Sequence, residues 1–225
     1  MKRFLSLFWL GLLLRPMFGT GQIFLKVIRT RSSLDSTTRL DSSKQMLDLS
    51  RAIPGIVLDL RYAGTNNFLH QKIYPSSAAY LRRPAAERLA EAEKDFEAIG
   101  LKLIVFDAYR PYTATVLIYS KVLNPDYAAS PATGSRHNRG CSVDCSLVKI
   151  STGVEILMPT AFDSFTVQAH SDFVENDPVK RADRALLRDI MAKHGFTPLK
   201  TEWWHFDFAG WKDFELLDIP FSELK

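Results

Sequence analysis

The sequence is short of cysteine, of long apolar runs and of any lasting charge imbalance. Cys141 and Cys145 are the only cysteines among 225 residues, too few for a disulfide-stapled fold. They stand four apart in a segment that reads as extended, about 13 Å of strand, so a mutual bridge requires a bend between them. Two buried thiols are the expected state. No apolar run approaches the roughly 20 residues of a membrane-spanning helix. FLSLFWLGLLL, eleven residues after Lys2 and Arg3, is followed by Arg15, Pro16 and the small residues Gly19 and Gly21. That is the pattern of a secretory signal over residues 1–21, cleaved near Gly21, with an uncleaved anchor as the alternative. For a bacterial protein it predicts a periplasmic or secreted location. Lys2, Arg3 and Arg15 are three of 29 basic side chains, and without them 26 face 25 acidic ones. The precursor's pI of about 9.0 therefore gives no support to a nucleic-acid partner. There is no internal repeat, and the oligomeric state is not readable.

What is present is the composition of one globular domain. Residues 22–50 read as a polar extension, because TRSSLDSTTRLDSSK suits an exposed linker better than a packed element, and the folded domain is expected over 51–225. IVLDLRYAG, residues 56–64, has strand composition. Residues 84–99 read as a helix that opens on Pro84, carries Leu89, Ala92, Phe96 and Ile99 on one face and stops at Gly100. A strand from Leu101 to Pro111, a short helix over 113–122 and a strand in CSVDCSLVKI follow. RADRALLRDIMAKHG places Ala182, Leu186, Ile190 and His194 at helical spacing, with Gly195 as a left-handed cap. Helices and strands do not alternate regularly, which predicts an α+β fold with a central, mainly antiparallel sheet and flanking helices.

Two segments carry chemistry. In TEWWHFDF, residues 201–208, Glu202 and His205 sit in an otherwise buried-looking strand, where an unpaired charge is costly. The commoner meaning of such a pair is a satisfied core histidine beside a surface glutamate. In SRHNRGCSVDCSL, residues 135–147, His137 and Asp144 would lie roughly 23 Å apart in a straight strand, too far to share a metal. Gly140 is where the chain can reverse. From Cys141 onward, alternation sends Cys141, Val143 and Cys145 to one face and Ser142, Asp144 and Ser146 to the other. With His205 added, two histidines and an aspartate can hold zinc with a fourth position open, as catalytic sites do. Such a site uses a carboxylate that is not a ligand as its proton carrier, and Glu202 is the candidate. In a regular strand, positions 202 and 205 face opposite sides, so the segment must bulge between them.

These segments fit the S-x-H-x-x-G-x-x-x-D and E-x-W-H motifs, and with DLRYAGTNNF, YLRRPAAERL, DAYRP and MPTAFDSF the chain resembles the zinc D-alanyl-D-alanine dipeptidases of the VanX type over about residues 52–208. The resemblance implies a Hedgehog/DD-peptidase-like fold and hydrolysis of D-Ala-D-Ala to two D-alanines in cell-wall peptide turnover. It implies one Zn2+ per chain on His137, Asp144 and His205, with Glu202 as general base and acid and Arg110 stabilising the transition state. It also implies that Asp163 holds the substrate ammonium and that Ser135 is a further substrate contact. Without the resemblance, Arg110 reads equally as a surface arginine at a strand end, and Asp163 and Ser135 as turn or capping residues. Cys141 and Cys145 stand where small or aliphatic residues are expected in relatives. His70, His170 and His194 match no ligand position. Competing functions are a D,D- or L,D-carboxypeptidase trimming longer wall peptides, a non-catalytic wall-binding protein with structural zinc, and, more weakly, a cysteine hydrolase built on Cys141 and His137.

Overall fold

A polar stretch can still pack when it has a cap and one apolar anchor, and residues 30–44 have both. In the computed structural model, which describes residues 25–122 and 127–225, helix α1 (Arg31–Leu40) starts on Thr30, whose hydroxyl accepts from the Ser33 amide. Leu34, 3% exposed, anchors it, burial of one leucine contributing about 2 kcal/mol. Arg29 pairs with Asp218 and Arg31 donates to the Glu223 carbonyl, which fasten α1 to the C-terminal segment. The expectation of an exposed linker is thereby corrected: the hydroxyl-rich composition hides a capped helix, and the strand β2 (Met46–Asp48) follows it. The signal-segment reading of residues 1–21 lies outside the described residues.

β2 pairs antiparallel with β4 (Tyr80–Arg82), and β1 (Val27–Ile28) pairs parallel with β9 (Leu216–Leu217). Between them lie the short helix α2 (Leu49–Ala52) and β3 (Val57–Leu58). The strand expected over 56–64 is only these two residues, because the chain turns at Arg61–Ala63. The Asn67 side chain holds that turn, donating to the carbonyls of Arg61, Gly64 and Gln71 at 3.0, 3.0 and 2.9 Å.

The main sheet contains five strands in the order β3, β5 (Leu101–Asp107), β6 (Ser142–Lys149), β8 (Glu202–Phe208) and β7 (Phe196–Leu199). Only the β3 pairing is parallel, as the irregular element order predicts. Helix α3 (Arg83–Glu97) buries Leu89, Ala92 and Phe96 completely. It stops two residues before the predicted Ile99, which is 53% exposed, and Gly100 takes φ 81°. A short helix α4 (Tyr112–Tyr119) follows β5. In α5 (Pro178–Lys193) the most buried apolar residues are Leu187 and Met191, one position beyond the expected stripe, with Leu186 and Ile190 at its edge. Gly195 caps the end of this helix at φ 82°. Core side chains from β5, β6 and β8 meet those of α3 and α5. None of the described helices is long and apolar enough to cross a membrane.

Candidate active site

The site is assembled by register. Asp107, Asp144 and His205 are direct partners across β5, β6 and β8, so three ionisable side chains share one line across the sheet. His137 joins them from a 3-10 turn (His137–Arg139) that ends at Gly140, in the left-handed region at φ 67°. This is the reversal that the spacing of His137 and Asp144 demands. Cys141 and Cys145 are free and fully buried. Burial pushes the Cys141 thiol up to about 12 and the Cys145 thiol well above its ordinary value, which suits inert packing rather than nucleophilic chemistry.

Glu202 and His205 meet because β8 is irregular. Thr197 and Pro198 pair with Asp207 and Phe206, but Leu199 pairs with Glu202. Trp203, Trp204 and His205 thus have no partner on β7, and this bulge brings the Glu202 carboxylate to 3.8 Å from His205 Nδ1. Trp203 goes to the core while Trp204 walls the cavity.

Three donor atoms converge. His137 Nε2 lies 3.1 Å from His205 Nδ1 and 3.3 Å from Asp144 Oδ1, and His205 Nδ1 lies 3.0 Å from the same oxygen. Zinc with bonds of 2.0–2.1 Å at tetrahedral angles places its donors about 3.3–3.4 Å apart, so the triangle fits one face of such a polyhedron. The outer ring nitrogens fix the tautomers. His137 Nδ1 donates to the Ala108 carbonyl at 2.6 Å, and His205 Nε2 donates to Asp207 Oδ1 at 2.9 Å. In the neutral rings both inner nitrogens present lone pairs toward a carboxylate oxygen, an arrangement that a cation stabilises. A proton and a metal ion compete for the inner nitrogen of His205, and the same carboxylates favour either one. Burial opposes charge on His205, but Asp207 and Asp144 outweigh it and hold its pKa well above the ordinary value. Burial would raise Asp144, yet His137 and His205 lower it. This buried group of two histidines and an aspartate could hold a metal ion.

Around the triangle, Arg110 grips Asp107 Oδ2 through Nε and Nη2 at 3.0 and 2.7 Å and lies over the Tyr62 ring. Asp107 also accepts from the Tyr74 hydroxyl and the Ala108 amide, both at 2.9 Å. Asp163 takes φ 60°, a left-handed conformation that a non-glycine residue adopts at a cost, and both its carboxylate oxygens lie 3.2 Å from the Tyr62 hydroxyl. Burial, with Asp144 and Glu202 nearby, holds Asp163 well above the usual carboxylate range. Burial also raises Glu202 to about 7, despite the opposing His205. Ser135 accepts from the His137 amide at 3.2 Å.

All seven residues singled out from the sequence, Arg110, Ser135, His137, Asp144, Asp163, Glu202 and His205, line one cavity of about 450 Å³. His70, His170 and His194 do not. Tyr62, Asp107 and Asp207 belong to the same constellation without having been singled out. Asp207 had a legible signal, since it stands two positions beyond His205 and so on the same strand face.

A family profile described as Peptidase_M15, D-ala-D-ala dipeptidase, matches residues 42–223. The chain is 29% identical over 183 residues to the D-alanyl-D-alanine dipeptidase of Escherichia coli (strain K12), covering 81% of this chain and 94% of that protein. It is 26% identical over 200 residues to the D-alanyl-D-alanine dipeptidase of Enterococcus faecalis (strain ATCC 700802 / V583), covering 79% and 94%. Among solved structures, the LdcB LD-carboxypeptidase aligns with a TM-score of 0.42 at 18% identity over 75% of this chain and 70% of that one. Because the profile spans most of the chain and takes in every one of the seven cavity residues, the chain belongs to the Peptidase_M15 family of D-ala-D-ala dipeptidases, which are metallopeptidases.

Proposed function

We propose that this protein hydrolyses D-Ala-D-Ala to two D-alanines in cell-wall peptide turnover, with one zinc ion per chain held by His137, Asp144 and His205. The observation that carries the reading is the buried donor triangle with a carboxylate, Glu202, beside it but outside it. When bound there, zinc supplies Lewis acidity, polarising the peptide carbonyl and making water more acidic.

The remaining steps belong to the protein. Glu202 accepts the proton of the attacking water and delivers it to the departing amine nitrogen as the C–N bond breaks. A carboxylate raised to about 7 suits both tasks. Arg110, its plane fixed by Asp107 and Tyr62, donates to the carbonyl oxygen as negative charge grows there. Asp163 accepts from the substrate ammonium, and Ser135 offers a further polar contact. A buried carboxylate with its pKa driven up is stabilised as an anion by such a cation, whereas a longer peptide presents a neutral amide and leaves it unpaired. This is the physical basis for preferring a dipeptide over the carboxypeptidase alternative. On the basic, apolar composition of residues 1–21 we place the reaction in the periplasm or outside the cell, which fractionation of the producing cell tests.

The direct test compares release of D-alanine from D-Ala-D-Ala and from a pentapeptide ending in the same pair, before and after chelation and zinc restoration. Zinc-dependent cleavage confined to the dipeptide is expected. Equal cleavage of the pentapeptide would overturn the assignment in favour of a carboxypeptidase.

A further inference from the structure

Among the described residues, the cationic side chains lining the cavity are Arg110, Arg136 and Arg139. Arg110, paired with Asp107, is assigned to the carbonyl oxygen of the substrate, and Arg139 donates to the Phe214 carbonyl. Arg136 is placed differently. Its Nη1 lies 2.8 Å from Asp207 Oδ2, its side chain is 39% exposed, and its guanidinium lies 4.7 Å from the centre of the Trp211 ring. Arg139 approaches the same ring at 5.4 Å. A guanidinium has five donors in a rigid fork, so the pairing with Asp207 leaves an edge of Arg136 for a second anion.

The His205 ring divides the charges. Its Nδ1 side faces Asp144 and Glu202, and its Nε2 side faces Asp207 and through it Arg136. A free dipeptide carries an ammonium at one end and a carboxylate at the other. Asp144 and Glu202 are taken up as donor and proton carrier and Asp163 receives the ammonium, which leaves the basic, aromatic side of the same cavity for the carboxylate.

We propose that Arg136, its plane held by Trp211 and Asp207, is the specificity-determining residue that receives the substrate's C-terminal carboxylate. The proposal rests on the dipeptidase reading and makes the enzyme selective for a free acid over a neutral C-terminus. Binding the carboxylate does not require Arg136 to release Asp207, so the support of His205 persists with substrate present.

The test measures KM and kcat of the zinc-loaded wild type, Arg136→Ala and Arg136→Lys on D-Ala-D-Ala and on its C-terminal amide, with zinc per chain determined for each. The expected result for Arg136→Ala is a KM for the acid raised tenfold or more and an acid-over-amide preference that collapses, with zinc content retained and partial recovery in Arg136→Lys. An unchanged acid-over-amide ratio overturns the proposal. So does a parallel loss on both substrates accompanied by loss of zinc, which assigns Arg136 to support of His205 through Asp207. Wild type inactive on both dipeptides removes the dipeptidase reading itself and this proposal with it, whereas an active wild type with an unaltered ratio in the variant removes this proposal alone.

Discussion

Asp144 on β6 and His205 on β8 are direct partners across hydrogen-bonded strands, with Oδ1 3.0 Å from Nδ1. Their meeting is therefore a property of sheet register, since a slip of one residue would send one of them to the opposite face. The third donor is not on the ladder. His137 reaches the pair through the turn at Gly140, so local backbone geometry and strand pairing must agree for the triangle to close.

That dependence makes Gly140→Ala informative. The residue sits at φ 67°, and a Cβ there would fall 2.7 Å from Met46 Cε and 3.3 Å from the Arg82 amide nitrogen. The left-handed conformation alone costs about 1–3 kcal/mol for a non-glycine residue. Denaturant unfolding should show a loss of at least that order, and zinc titration should show weakened binding because His137 moves with the turn. Unchanged stability and unchanged zinc affinity would contradict the argument.

Asp207 gives a milder perturbation of the same centre. It accepts from His205 Nε2 at 2.9 Å and from the Ser142 hydroxyl at 2.6 Å, and Arg136 pairs with its other oxygen. Outer partners of metal-binding histidines typically contribute 10–100-fold in affinity or activity. Asp207→Asn should lower zinc affinity by roughly that factor in competition with a chromogenic chelator, with activity largely restored by excess zinc. Wild-type affinity in the variant would show that His205 needs no such support.

The site was more legible in the sequence than the edges of the fold. Glu202 and His205 draw attention because charged groups in an apolar strand are costly without a partner or a task, the bulge in β8 follows from requiring the two to meet, and it is the resemblance that joins His137 and Asp144 to them. Asp163 and Ser135 were legible only through resemblance, as residues of their types occur in any turn. Tyr62 has no local signal because it holds Asp163 across 101 positions, whereas Asp107 stands three residues before Arg110 in DAYRP, and its grip on that guanidinium is a local one that the motif contains without naming. Helix α1 has the local composition of a linker because its packing rests on Leu34 and on long-range contacts to Asp218 and Glu223, which no local pattern shows.

Glu202 separates chemistry from binding. It lies beside the donor triangle without joining it, so Glu202→Gln should keep zinc at the wild-type ratio while kcat falls by about 10²–10⁴, the range for loss of a general acid–base group. Metal analysis and steady-state kinetics on one preparation make the comparison. Near wild-type turnover in a zinc-replete variant would remove Glu202 from the role of proton carrier.

A last prediction concerns stability away from the site. Glu93 on α3 is 2% exposed, accepts from the Leu103 amide at 2.7 Å through one oxygen and has no hydrogen-bond partner for the other. Burial pushes its pKa from 4.5 up to about 7. Between these values the folded chain retains a proton that the unfolded chain releases, so stability falls as pH rises through this window and levels off above it. The full effect is on the order of 3 kcal/mol, taking each pKa unit as about 1.4 kcal/mol. Glu93→Gln keeps the neutral shape and cannot ionise, so it should match wild type near pH 4.5 and exceed it by up to that amount above pH 7. Chemical denaturation of both proteins across pH 4–8 measures the difference, and a gap that does not widen with rising pH would show that Glu93 keeps its ordinary pKa in the folded chain.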